Sequence, residues 1–497
     1  MSDTRHVIMS SADPHDPRDP LGLAADAPLL AAWLDWMRLA QAGQVAPMTT
    51  PGHKQRYDLV GTVVAGDAPL YGALAPIKYA DRLRADAEAR AAALWGADWC
   101  RFSVAGSTHG NQTFCLALGQ PGQKVIITRL LHRSLLLGMV MAGLHPIWVR
   151  PEVDLATGLP GGVPVQTVRD ALTAHPDACG VILGDPSYIG TIGDLAGCAQ
   201  AAHEAGVPLI VDAAWAAYHG FHPDLPAHAL AAGADGLVTS AHKTLPAYTQ
   251  GAVVLARTGR LDRARLERAF DATHTTSPAG SIYASIDAAR ALLARDLLVQ
   301  DEDRLCGRLL RGVAAARKRL REVPGVDVLE GPGVDPAKLV VLLAGTGAHG
   351  GLVEADLIAA GMPVEMGDRD TLVPIVTMAD DEEQVAAFTE VLIAVIERHR
   401  GEPRRPAATA AWTVRPQTVL APREAFFAPN ETVPAAAAVG RISAELVAPY
   451  PPGVPVLAPG ELITAEALAA LREVAADGGR IAYAEDPTLA TFQVVAG

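Results

Sequence analysis

Short apolar runs alternate with helix-length segments through the middle of the chain. The runs lie at 125–128, 146–149, 181–183, 209–211, 237–239 and 252–255. They are near-continuous in Val, Ile, Leu and Ala rather than alternating with polar residues, which predicts strands of a mostly parallel sheet covered on both faces. Between them, 165–175 stops at Pro176 and 194–205 stops at Gly206, and both read as helices. Upstream, Ile77, Ala80, Leu83, Ala87, Ala91 and Leu94 recur near a 3.6-residue period before Gly96, another helix.

The pattern changes after the last run. Residues 282–323 predict one or two long helices ending at Pro324-Gly325. Residues 326–398 follow as strand, helix, strand, strand, helix. A Pro- and Arg-rich stretch from Arg398 to Ala411 reads as a linker. The expected division is an N-terminal arm and short helical segment over 1–75, with 1–26 mobile. A large α/β domain over 76–323, a small α+β domain over 324–400 and a C-terminal domain over 412–497 follow.

Composition narrows the partners. The net charge of −14 disfavours nucleic acid and anionic membrane surfaces. Five widely spaced cysteines with no Cys-x-x-Cys pair argue against a disulfide framework or a structural metal site, and for a reducing compartment. The N-terminal residues lack the apolar stretch of a signal peptide, and no apolar run nears the ~20 residues that span a bilayer. A cytoplasmic location is expected.

Ligands of such sheets bind beyond the carboxyl ends of the strands, which is where the chemistry-bearing residues cluster. Lys243 in Ser240-Ala-His-Lys243 follows one run, and Asp212 closes another. A buried acid there needs a partner, which a protonated pyridine nitrogen would supply. Ala105-Gly-Ser-Thr-His-Gly-Asn111 is a small, hydroxyl-rich turn before a helical segment and suits a phosphate. His132 lies beyond the 125–128 run and brings an imidazole to the same edge. Phosphate cup, buried acid, flat ring and strand-end lysine are the parts that hold pyridoxal 5′-phosphate (PLP), with the lysine joined to it as a Schiff base.

Several stretches, in order, resemble one family. They are Thr50-Pro-Gly-His-Lys54, Gly106-Ser-Thr-His-Gly-Asn111, Asp185-Pro-Ser-Tyr-Ile-Gly190, Ser240-Ala-His-Lys-Thr-Leu245 and Thr275-Thr-Ser-Pro278. Gly361-Met-Pro-Val-Glu-Met366, Pro449-Tyr-Pro-Pro-Gly-Val-Pro455 and Pro459-Gly-Glu461 complete the set. The chain resembles the bacterial ornithine/lysine/arginine decarboxylases, fold-type-I PLP-dependent enzymes, in a short form without the N-terminal wing domain of the longer members.

The resemblance implies a set of roles. Lys243 would carry PLP, while Ser107, Thr108, Ser240 and His242 would bind its phosphate. Asp212 would pair with the ring nitrogen, Ala214 would lie beneath the ring, and His132 would stack above it. Thr276, with Thr275 and Ser277, would reach the cofactor of a neighbouring subunit, making a homodimer or higher oligomer with sites at the interface. Catalysis would rest on Lys243, His132 and Asp212. Trp215 resembles lysine- and ornithine-type relatives and tilts the expected substrate that way, with arginine also open. Glu461 is a candidate for the substrate's distal cation, and Glu365, Asp368 and Asp370 form an acidic cluster that is ambiguous in the same way. His53, His109 and His222 read as structural. The same cofactor cage serves transamination and elimination, and a non-catalytic relative would keep the fold, so these readings stay open.

Overall fold

All six apolar runs become strands, and Trp99–Ser103 adds a seventh. In chain order they are β1 (Trp99–Ser103), β2 (Lys124–Thr128), β3 (His145–Val149), β4 (Val181–Gly184), β5 (Leu209–Asp212), β6 (Gly236–Ser240) and β7 (Ala252–Ala256). The structure is a computed structural model. It describes residues 16–42, 50–54, 56–68, 77–154, 156–300, 304–406, 410–450, 454–476 and 478–497.

The strands form one sheet in the order β1-β7-β6-β5-β4-β2-β3. Neighbours from β3 through β6 are parallel, whereas β7 runs antiparallel to both β6 and β1. Alternate residues feed two different cores, because successive side chains of a strand leave by opposite faces. Ile126, Leu209 and Val211 join the core of one face, while Val125, Ile127 and Ile210 join that of the other. Burial on both sides is why the runs lack polar alternation.

Helices cover both faces. They are α1 (Pro28–Gln41), α2 (Ile77–Trp95), α3 (Gly106–Leu118), α4 (Arg133–Ala142), α5 (Val165–Ala174), α6 (Leu195–Glu204), α7 (Arg263–Thr273), α8 (Gly280–Asp296) and α9 (Leu305–Arg321). The 282–323 stretch is thus two helices. Residues 16–26 depart from the expected mobile arm, of which residues 1–15 lie outside the described part. Asp19 accepts from the backbone N–H groups of Leu23 and Ala24 at 2.8 and 2.9 Å, and Asp26 is ion-paired with Arg90 and Arg290. Carboxylates tether this segment, which apolar periodicity does not reveal. The N–H of Leu29 then donates to Asp287 of α8 at 2.9 Å.

The smaller sheet contains β8 (Asp327–Val328), β9 (Val341–Leu342), β10 (Met366–Gly367) and β11 (Thr371–Val373), antiparallel in the order β8-β9-β11-β10. Helices α10 (Gly350–Ala359) and α11 (Glu382–Arg398) flank it. Strand β9 was absent from the expected order, because a short continuous apolar run such as 339–344 has no period that separates a strand from a buried helix. The core of one face of the large sheet continues here through Val341, Leu357 and Leu392. The C-terminal segment has its own core around Val456, Ile463, Leu471 and Phe492. Among the described residues no helix is long and apolar enough to cross a membrane, and all five cysteines are free thiols.

Candidate active site

Four strand ends meet where the site is expected. After β1, Gly106 turns the chain into α3 at φ 73°, a left-handed conformation that glycine adopts without strain. The residue before α3 is Ala105, and no side chain caps the helix. The Gly106 N–H donates to the Gln250 carbonyl at 2.8 Å, and the first turn has no side-chain cap, which leaves the positive end of a 13-residue helix open to an anion. Ser107 Oγ lies 2.7 Å from Ser240 Oγ, so α3 and the end of β6 bring two hydroxyls to one point. Thr108 is exposed beside them. An uncapped helix start with paired hydroxyls fits a phosphate. Lys243 and His242 follow on a single helical turn, Ala241–Thr244. His242 Nδ1 donates to the Gly251 carbonyl at 2.9 Å, and burial lowers its pKa.

Asp212 closes β5 and is 7% exposed. Its Oδ2 accepts from Asn111 Nδ2 at 2.7 Å, and its Oδ1 from the Ala214 N–H at 3.2 Å. These donors are neutral, and among the described residues no cation pairs with it. A buried carboxylate left in that state has room for one cationic N–H, so the residues fit the pyridinium of PLP. Asn111 Nδ2 also donates to Ser134 Oγ at 2.9 Å. Ser134 in turn lies 2.7 Å from His132 Nδ1, and its backbone N–H donates to the same nitrogen at 3.3 Å. His132 Nδ1 is thereby an acceptor, which assigns the ring proton to Nε2. Burial and the Lys243 charge lower the pKa of His132, against the pull of Asp212. The ring also caps the start of α4.

Trp215, three residues past Asp212, is flanked by amines. Lys243 Nζ lies 4.1 Å from the indole centroid and Lys338 Nζ 3.9 Å, with Tyr188 edge-on at 5.3 Å. Burial lowers the pKa of Lys243, opposed by Asp212 and Glu365. Sequence reasoning missed Lys338, Asn111 and Ser134. Asn111 stood within a recognised motif, but only the tertiary fold shows what its amide reaches.

Other candidates lie elsewhere. Glu461 is 1% exposed, and both its oxygens are bound by Arg129, at 2.6 and 2.8 Å. Oε2 also accepts from the Ala458 N–H. A carboxylate so engaged is not free for a substrate cation, contrary to the expectation for Glu461. Arg129, fully buried at the end of β2, also donates to the carbonyls of Pro455 and Val456. Of the acidic cluster, Asp370 is ion-paired with Arg404, and Asp368 accepts from the N–H groups of Asp370 and Thr371. Glu365 is exposed, and its charge acts on both Lys243 and Lys338. His109 is a core residue whose ring nitrogens meet Ser103 and the Phe270 carbonyl, and burial lowers its pKa to about 4. Thr275, Thr276 and Ser277 are exposed on this chain's surface.

Comparison with known proteins identifies the family. Residues 80–356 match the Orn/Lys/Arg decarboxylase major domain, and residues 406–476 match the C-terminal domain of the same family. The arginine decarboxylase of Halalkalibacterium halodurans is 31% identical over 90% of this chain and 93% of its own length. That of Bacillus subtilis is 32% identical over 82% of this chain and 84% of its own. The lysine decarboxylase LdcA of Pseudomonas aeruginosa is 25% identical, over 76% and 65%. Among solved structures, the Francisella novicida lysine decarboxylase superposes with a TM-score of 0.77 at 19% identity, covering 96% of this chain and 82% of its own. A serine palmitoyltransferase solved with PLP gives 0.52 at 16% identity, over 76% and 85%. The chain belongs to the Orn/Lys/Arg decarboxylase family, and it is a PLP-dependent decarboxylase of basic amino acids.

Proposed function

We propose that the preferred substrate is arginine, released as agmatine and CO2. The observation that carries this is the pair of arginine decarboxylases matching most of both chains at 31% and 32% identity, against 25% for a lysine decarboxylase. The tilt toward lysine or ornithine rested on Trp215. That indole is engaged by the protein's own two lysines, so its presence is a poor guide to the substrate's head group.

In this reading Lys243 holds the cofactor covalently. Ser107, Thr108, Ser240 and His242, with the start of α3, hold its phosphate, and Ala214 and His132 enclose the ring. When bound, PLP supplies the conjugated sink that takes the electron pair left at Cα as CO2 departs. Asp212 sustains that capacity by keeping the ring nitrogen protonated. The Lys243 ammonium, freed when the substrate amine takes its place, or His132 once doubly protonated from solvent, is our candidate for giving a proton to Cα. Glu365, with no ion-pair partner among the described residues, is our candidate for the guanidinium, which can take a carboxylate bidentately. The exposed Thr276 segment is available to a second copy of the chain, and we infer a homodimer.

A panel of lysine, ornithine and arginine, with gas and product identified by mass, tests the reading. Agmatine and CO2 from arginine are expected, with loss of turnover in Lys243→Ala. Keto acid without CO2 would overturn decarboxylation. Preferential release of cadaverine or putrescine would overturn the arginine assignment alone.

A further inference from the structure

Lys338 is 4% exposed, and its Nζ has no carboxylate within 4.0 Å among the described residues. The buried acid whose charge acts on it most, Asp335, is already engaged. Asp335 Oδ2 accepts from Tyr218 Oη at 2.9 Å and meets His219 Nε2 at 3.1 Å, while Oδ1 accepts from the Ala337 N–H at 2.9 Å. Burying an ammonium with no carboxylate in ion-pair contact is costly, so an anion has a strong claim on this position.

The surroundings are built to hold the amine there. Gly190 leaves the space its stem occupies, since a Cβ on Gly190 would stand 2.5 Å from Lys338 Cγ. The Lys338 backbone N–H donates to the Asp335 carbonyl at 3.1 Å, and its carbonyl accepts from Arg317. The ammonium rests against Trp215, the ring that Lys243 also touches. Measured through that centroid, the two Nζ atoms are at most about 8 Å apart. A substrate whose α-amine replaces Lys243 on the cofactor carries its carboxylate oxygens about 3 Å beyond that nitrogen. Its other end is a cation, which two ammonium groups repel.

We propose that Lys338 docks the substrate's α-carboxylate. The inference rests on the amino-acid decarboxylase reading above. Burial pushes the pKa of Lys338 down to about 8, with Lys243 lowering it and Asp335 and Glu365 raising it. The contact belongs to the ground state, because departing CO2 is uncharged. Its removal therefore raises KM while leaving kcat unchanged or higher.

The test uses holoenzyme with des-amino arginine, which keeps the carboxylate and the guanidinium but has no amine to react, and with agmatine, which has no carboxylate. In Lys338→Met, calorimetric affinity for des-amino arginine is expected to fall about 10- to 100-fold, as for loss of a charge-assisted hydrogen bond, with agmatine affinity unchanged. Lys338→Arg should restore most of it. The methionine variant should melt no lower than wild type, because it removes a buried unpaired charge. In wild type, the same affinity should fall as pH rises through about 8. Unchanged affinity for des-amino arginine, or an equal loss for agmatine, overturns the proposal, as does a flat wild-type profile from about pH 7 to about pH 9. A wild-type enzyme releasing no CO2 from any basic amino acid would overturn the underlying reading instead. If the panel selects lysine, des-amino lysine and cadaverine replace the two probes.

Discussion

One amide, that of Asn111, ties the acid of β5 to the start of α4. Its Nδ2 donates to Asp212 and to Ser134, and Ser134 orients His132. In Asn111→Ala the buried Asp212 loses its shorter donor and His132 loses its support. The expected cost is about 1–3 kcal/mol at the site, read as roughly a tenfold fall in kcat with weaker PLP binding by spectrophotometric titration. Asp185 supports a second expectation. Burial raises its pKa to about 7 from the usual 3.8, although the Gly193 N–H opposes this. Such a carboxyl binds its proton more readily folded than unfolded. Its contribution to stability is complete below about pH 4 and is lost as pH rises through about 7. Asp185→Asn should flatten the fall in denaturant midpoint between about pH 4 and about pH 7. Lys243 and Asp212 were legible because they end apolar runs. Asn111 and Lys338 were not, since Asp212 and Trp215, which they meet, are each more than 100 residues away along the chain.

At the level of elements, α3 owes its position to the absence of a side chain at Gly110. A Cβ there would stand 2.8 Å from Val238 Cγ1 of β6 and 2.9 Å from Val254 Cγ2 of β7. Gly110→Ala should push the helix off the sheet and cost about 1–3 kcal/mol by overpacking. Because the phosphate cradle is the start of this helix, PLP affinity should fall together with the melting temperature. The motif around Gly110 was read only as a phosphate turn, and its second use in helix–sheet contact depends on strands more than 120 residues downstream. Element types were legible where apolar runs alternated with helix-length segments, as in the large sheet, but not at the apolar run 339–344 that holds β9. Strand β1 escaped because Arg101 interrupts it, turned out to Glu88 and Glu267. The reversed sense of β7 escaped because a fully buried strand reads alike in either direction.

Across the whole molecule, the C-terminal segment is fastened to the large sheet through Arg129 and Glu461. Glu461→Ala leaves a buried guanidinium with two carbonyls and the Trp148 ring but without its carboxylate. The expected loss is about 3–5 kcal/mol of stability by denaturant or thermal melting. KM of the molecules that remain folded should change little, which separates a structural carboxylate from a substrate ligand. The fastening was not legible from position, because Pro459-Gly-Glu461 also reads as an ordinary helix-start charge. Sedimentation at micromolar concentration should return a dimer, with the exposed Thr275–Ser277 strip protected from solvent exchange.

The same pair constrains what this lineage can become. Replacing both partners by well-packed apolar residues is often neutral or stabilising, yet either replacement alone strands a buried charge. A single-step route that replaces either Arg129 or Glu461 by an apolar residue therefore crosses a less stable intermediate sequence. The pair is held less by how much it contributes than by the valley that surrounds it in sequence space.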